Sequence, residues 1–195
     1  LNETLPANER IRVVSISTGM FPTQPRYEEW NAALGDVEQS GIFVVTCDRS
    51  VFSYGILSLR PGADPDDPTS YQRGRYAGDD DLIRVPGQNR TVASHLGEDV
   101  YTFDRVGGMS WGAPYLAGLA ALALQVDPEL RPREIREALA ATVRRTAAGP
   151  IVDPAAFIER VRNRKTRGTR ARRWRSARRT WWTEWCLACR CGSGS

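Results

Sequence analysis

The sequence predicts an α/β fold whose parallel strands are covered on both faces, and three stretches predict it. Ile11 to Ile16 is a β-branched run closed by Gly19. Tyr27 to Gln39 places Trp30, Ala33, Leu34 and Val37 at helical spacing and leads at once into Gly41 to Cys47. That second run is almost continuously apolar, as expected of a strand buried on both sides, and a helix followed by such a strand is half of a β-α-β crossover. The third stretch, Val106 to Gln125, carries no charge between Tyr115 and Leu124, which reads as a helix buried on every side.

The remaining elements follow in chain order. Val51 to Asp81 reads as a loop, broken by Pro61, Gly62, Pro65, Pro68, Gly74 and Gly78. Its two acid clusters, at 64–67 and 79–81, offer the hard oxygen ligands that calcium takes, but without regular ligand spacing, so a solvated acidic loop and no cofactor are expected. Leu82 to Val85 is a short strand cut off by Pro86-Gly87, and Tyr101 to Phe103 is another. After Asp127-Pro128, Leu130 to Leu139 opens a further helix with Ile135, Leu139 and Val143 on one face.

Charge divides the chain of 195 residues. Residues 160–195 hold twelve of the 27 basic residues and one of the 23 acids, a net of about +11 against about −7 for 1–159. The body therefore ends near residue 159, and 160–195 is a basic Arg/Trp-rich tail with four of the six tryptophans. Three readings of the tail stay open. It is a disordered segment or the frameshift product of a GC-rich gene, or it binds nucleic acid through phosphate contacts and stacking. Cys186, Cys189 and Cys191 could also ligate zinc, although a fourth ligand is not evident. Cys47 is alone in the body, so cysteine usage fixes no compartment. The apolar run is too short to span a bilayer and no signal segment opens the chain, so no membrane association is expected.

Chemistry concentrates at Ser110. Two glycines precede it, and Pro114 sits where the first turn of a helix tolerates proline. A hydroxyl at the mouth of a buried helix lies where free N–H groups favour negative charge. A plain helix cap accounts for the serine equally well.

Gly108 to Gly118 resembles the nucleophile motif of subtilisin-like serine peptidases, Gly-Thr-Ser-Met-Ala-Ser/Thr-Pro-His-Val-Ala-Gly. Gly108, Ser110, Pro114, Ala117 and Gly118 match it; Met109, Trp111, Gly112, Ala113, Tyr115 and Leu116 depart from it. Val13 to Gly19, Gly41 to Ser50, Leu82 to Gly87, Leu130 to Leu139 and Val152 to Ala156 are similar to other pieces of that family, in the family's order. The resemblance implies a doubly wound, mostly parallel sheet, present only in its C-terminal portion. It implies a serine-type endopeptidase acting through an acyl-enzyme, with Ser110 as nucleophile. Ser17, Gly19 and Gly108 would line the substrate cleft. Ser50 falls where the family places an oxyanion-donating asparagine.

By the same resemblance the aspartate and histidine of the triad would lie upstream of Leu1. The one histidine, His95, matches no family motif and reads as a surface loop residue. The chain would then be inactive without its N-terminal half; the resemblance is compatible with a secreted or extracellular setting and leaves the compartment open. The rival readings are a non-catalytic relative used for binding or regulation, and a nucleic-acid-binding protein acting through the tail.

Overall fold

The computed structural model describes residues 2–6, 8–48 and 50–166. Strands β1 (Val13–Ile16) and β2 (Phe43–Thr46) pair in parallel, Val13 beside Phe43 and Ile16 beside Thr46, with helix α1 (Tyr27–Gln39) as the crossover. The pleat sends alternate side chains to opposite faces. Val14, Ile16 and Val44 pack with Leu34 and Trp30 of α1, while Val13, Phe43 and Val45 face the main core under helix α2 (Met109–Val126). The pair is thus covered on both sides, as its apolar pattern predicts.

A second sheet has five strands in the order β4-β3-β5-β9-β8: β3 (Tyr54–Leu59), β4 (Tyr71–Arg73), β5 (Ile83–Gln88), β8 (Arg144–Thr146) and β9 (Gly149–Ile151). Its inner pairs, β3–β5 and β5–β9, are parallel, and the antiparallel β4 and β8 close its edges. Strands β6 (Arg90–Ala93) and β7 (Tyr101–Asp104) form a separate antiparallel hairpin just before α2. Helix α3 (Pro132–Ala141) starts with proline in its first turn, and residues 154–166 form a last helix.

Several expectations need correction. Residues 51–81 are not a loop throughout: β3 is wholly buried and lies inside its sheet, between β4 and β5. Its Gly55 lets the neighbouring chain pass close, because a Cβ there would stand 2.1 Å from the Ala77 carbonyl oxygen. Nor does Pro86-Gly87 end β5, which runs on to Gln88 across a register irregularity opposite Leu57 and Ser58. Helix α2 is not buried all round; Ser110, Pro114, Gly118, Ala121 and Leu122 form an uncharged stripe open to solvent. The composition boundary at residue 159 falls inside the last helix. There Val161 is buried in the main core and Arg164 pairs with Asp127 and Glu134. Residues 167–195, and with them the zinc, frameshift and nucleic-acid readings of the tail, lie outside the described residues.

The acid cluster at 79–81 is organised by an arginine. Arg84 on β5 is fully buried, and its guanidinium donates to the carbonyls of Ala77 at 2.9 Å, Asp79 at 2.5 Å, Leu82 at 3.1 Å and Asp80 at 3.3 Å. Gly149 (φ 111°) allows the β8–β9 turn to pass it, since a Cβ there would meet the guanidinium at 2.2 Å. Arg84→Met keeps the chain's bulk but strands these carbonyls, and leaving buried polar partners unmatched costs about 3–5 kcal/mol. We expect the midpoint of thermal unfolding to fall by roughly 10 °C. A fall equivalent to less than about 1 kcal/mol would mean that the cage does not hold the loop.

Candidate active site

Ser110 occupies the second position of α2 and is exposed. Gly108 is the N-cap and has no side chain to occupy the first N–H groups, so those of Met109 and Ser110 have no intrahelical acceptor. The turn that delivers Ser110 depends on glycine. A Cβ at Gly107 would lie 1.4 Å from the Gly87 carbonyl oxygen, and one at Gly112 would lie 2.5 Å from the Tyr54 ring. Only a bare backbone lets α2 settle this deeply against β3 and β5.

Pro114 acts differently from the sequence expectation. Because α2 starts at Met109, the proline stands in its second turn. Its missing N–H is the one that the Ser110 carbonyl would have accepted. Ser17, just beyond β1, fills the gap: its hydroxyl donates to the Ser110 carbonyl oxygen at 3.1 Å. One residue earlier, the Tyr54 hydroxyl donates to the Met109 carbonyl at 2.9 Å. The first turn of α2 is thus fastened to both sheets by side chains.

Asp48 ties together the loops after β1 and β2. Its carboxylate accepts from the Met20 N–H at 2.9 Å and the Trp30 indole at 2.7 Å. It also takes the Thr46 hydroxyl at 2.5 Å and both the N–H and hydroxyl of Ser50, at 3.0 and 2.6 Å. Burial would raise this carboxyl, but the hydroxyls of Ser50 and Thr46 and the N–H groups of Ser50 and Met20 outweigh it and hold it at about 2. Gly19 leaves room for the arrangement, since a Cβ there would sit 2.4 Å from that of Asp48.

The predicted residues therefore divide. Ser17, Gly108 and Ser110 meet at the start of α2, and Gly19 borders the same loop. Ser50 is exposed, with its hydroxyl directed to Asp48. His95 is exposed at the turn of the β6–β7 hairpin. Among the described residues no imidazole or carboxylate hydrogen-bonds the Ser110 hydroxyl, and no group of three or more His, Cys, Asp or Glu side chains is placed to hold a metal ion. Sequence reasoning missed Asp48, Tyr54 and Gly112. An acid immediately after an apolar strand was the one available signal for Asp48.

No family model matches the chain, and no curated protein matches it. Solved structures do. Subtilase cytotoxin SubAB is 14% identical over 78% of this chain and 59% of its own, with a TM-score of 0.56. The A-subunit of the AB5 toxin from E. coli is 15% identical over 82% and 63%, also at 0.56. The prenylagaramide maturation protease PagA is 16% identical over 79% and 63%, at 0.51. The chain spans between 59% and 63% of the length of these structures. This corrects the sequence-based assignment to the subtilisin-like peptidase family. Without a matching family model or curated relative that membership does not stand, and distant likeness at this identity carries the fold alone. The chain has a protease-like α/β fold.

The Asp48 carboxyl gives an acid-stability test. Its ordinary value is 3.8 and the folded chain holds it at about 2, so its stabilisation is complete above about pH 4 and is lost as pH falls toward 2. Asp48→Asn should lower stability at neutral pH and flatten the decline of the thermal midpoint between pH 4 and pH 2. Parallel declines in the two proteins would show that Asp48 is not the acid-sensitive tie.

Proposed function

We propose that Ser110 is the nucleophile of a serine-type endopeptidase site that cleaves peptide bonds through an acyl-enzyme. The supporting observation is the exposed Ser110 hydroxyl at an uncapped helix N-terminus, beside the Ser17–Gly19 loop. In this reading the Ser110 N–H stabilises the oxyanion of the tetrahedral intermediate, where a preorganised donor is worth most. The Ser17–Gly19 loop and Gly108 line the substrate peptide. The general base and its orienting acid come from residues outside this 195-residue sequence, which would form the other part of the catalytic unit. No cofactor takes part.

One observation favours a second reading, a non-catalytic binding or regulatory use of the same fold. The Ser50 hydroxyl, at the position proposed for a second oxyanion donor, is spent on Asp48. Losing one such donor costs about 10²–10³ in turnover.

The two readings separate in one experiment. The 195-residue chain alone should cleave a peptide substrate no faster than its Ser110→Ala variant. Once the chain is joined to the residues that supply the base, Ser110→Ala should lower kcat by about 10⁶. Its thermal midpoint should move little, because the exposed Ser110 hydroxyl caps nothing and such a surface substitution is worth within about 0.5 kcal/mol. Full turnover in the joined Ser110→Ala protein would remove Ser110 from the mechanism. A joined wild-type protein without turnover would favour the binding role.

A further inference from the structure

The hairpin of β6 and β7 has two unlike faces. Arg90 stands opposite Asp104, Thr91 opposite Phe103, Val92 opposite Thr102 and Ala93 opposite Tyr101. Residues directly opposite share a face, and successive pairs alternate between faces. One face therefore carries Arg90, Val92, Thr102 and Asp104. It is turned to the body: Arg90, Val92 and Asp104 are half-buried, and the Arg90 guanidinium carbon lies 5.4 Å from the centre of the Tyr115 ring on α2. The other face carries Thr91, Ala93, Tyr101 and Phe103, all exposed and none charged. Tyr101 is 68% exposed and Phe103 50%. Leu96 in the turn and Val106 just past the base are 73% and 77% exposed.

Of the eight large apolar side chains exposed among the described residues, five fall between Leu96 and Val106. Single scattered exposures need no cover, but such a cluster marks an interaction surface. A two-stranded hairpin is also marginal in water unless its apolar face is packed against something. Among the described residues nothing covers this one.

The charges around the face say what fits it. Glu98 and Asp99 sit at the turn and Arg105 at the base, and among the described residues none of these three side chains has an ion pair or a hydrogen bond. The hairpin thus has a negative end and a positive end on either side of a neutral aromatic face. A two-fold axis running across the strands lays the face of one copy on the face of another, with the turn of each over the base of its partner. Arg105 then meets Glu98 and Asp99 twice, and Leu96 meets Val106 twice. A parallel arrangement would set like charges together, which is costly. A patch that complements itself is what a closed two-fold dimer requires. We propose that the outward face of the β6–β7 hairpin joins two copies of this chain, Tyr101 and Phe103 of each packing on those of the other with the hairpins antiparallel. The inference does not depend on the role of Ser110.

Sedimentation equilibrium of the 195-residue chain at rising concentration tests it. The mass should rise from one copy to two. Tyr101→Ser combined with Phe103→Ser should weaken the dimer at least about tenfold, as loss of central aromatic anchors does. Leu122→Ser, on the open stripe of α2, should leave it unchanged. Arg105→Glu should weaken it roughly three- to tenfold, because a two-fold axis repeats each charge pair. Glu98→Arg combined with Asp99→Arg should do the same, and all three reversals together should restore the wild-type constant to within about threefold. The proposal fails if the mass stays at one copy, if the double serine variant associates as the wild type does, or if Leu122→Ser weakens the dimer equally. It also fails if the combined reversal does not restore what the separate reversals lose. Every position changed is exposed, so thermal midpoints should hold. Should the double serine variant not fold, the charge reversals decide it.

Discussion

The seating of α2 against two separate sheets is the constraint on which the rest of the molecule depends. β1 and β2 do not hydrogen-bond to the five-stranded sheet, so their relation runs largely through the helix that both contact. That contact works because the inward positions of α2 are small: Gly112, Ala113, Ala117 and Ala120 let β-strand side chains such as Tyr54, Ile56 and Phe43 come close. A larger residue at 112 would lift the first turn, and the turn carries Ser110. Packing in the core and placement of the candidate nucleophile are therefore one requirement.

Two polar hubs, the half-buried Asp48 and the buried Arg84, finish what apolar packing begins. Asp48 gathers hydroxyl, indole and backbone donors at the carboxyl ends of β1 and β2. Arg84 gathers backbone carbonyls behind β5. Each holds a stretch with too little apolar area to hold itself, and each uses charge-assisted hydrogen bonds, which are stronger than neutral ones. Ser17 does the same on a smaller scale for a carbonyl that proline leaves unmatched.

What the sequence makes legible is whatever repeats along it. The β-branched run at Val13–Ile16, the near-continuous apolar run at Phe43–Thr46 and the helical spacing of Tyr27–Gln39 are local signals, and the structure has those elements. Strand β3 escaped because the prolines and glycines from Pro61 to Gly78 set the reading of the whole stretch, while the contact that fits Gly55 into the strand is with Ala77, 22 residues away. The open stripe of α2 escaped because an uncharged sequence cannot say which of its faces is covered. At the site, Ser110, Gly108 and Ser17 were legible as types in a pattern. The destination of the Ser50 hydroxyl was not, because it turns on the loop geometry that brings Asp48 within 2.6 Å.

The Arg84 cage also bears on how the protein tolerates its surroundings. A loop gathered around a bound ion is only as firm as the supply of that ion, and it slackens wherever a chelator or a competing cation reaches it. Here the positive centre is covalently part of the chain, and a guanidinium keeps its proton at any pH at which the fold survives. The positive centre that gathers the backbone of the 79–81 loop is therefore fixed in number and place by the sequence itself.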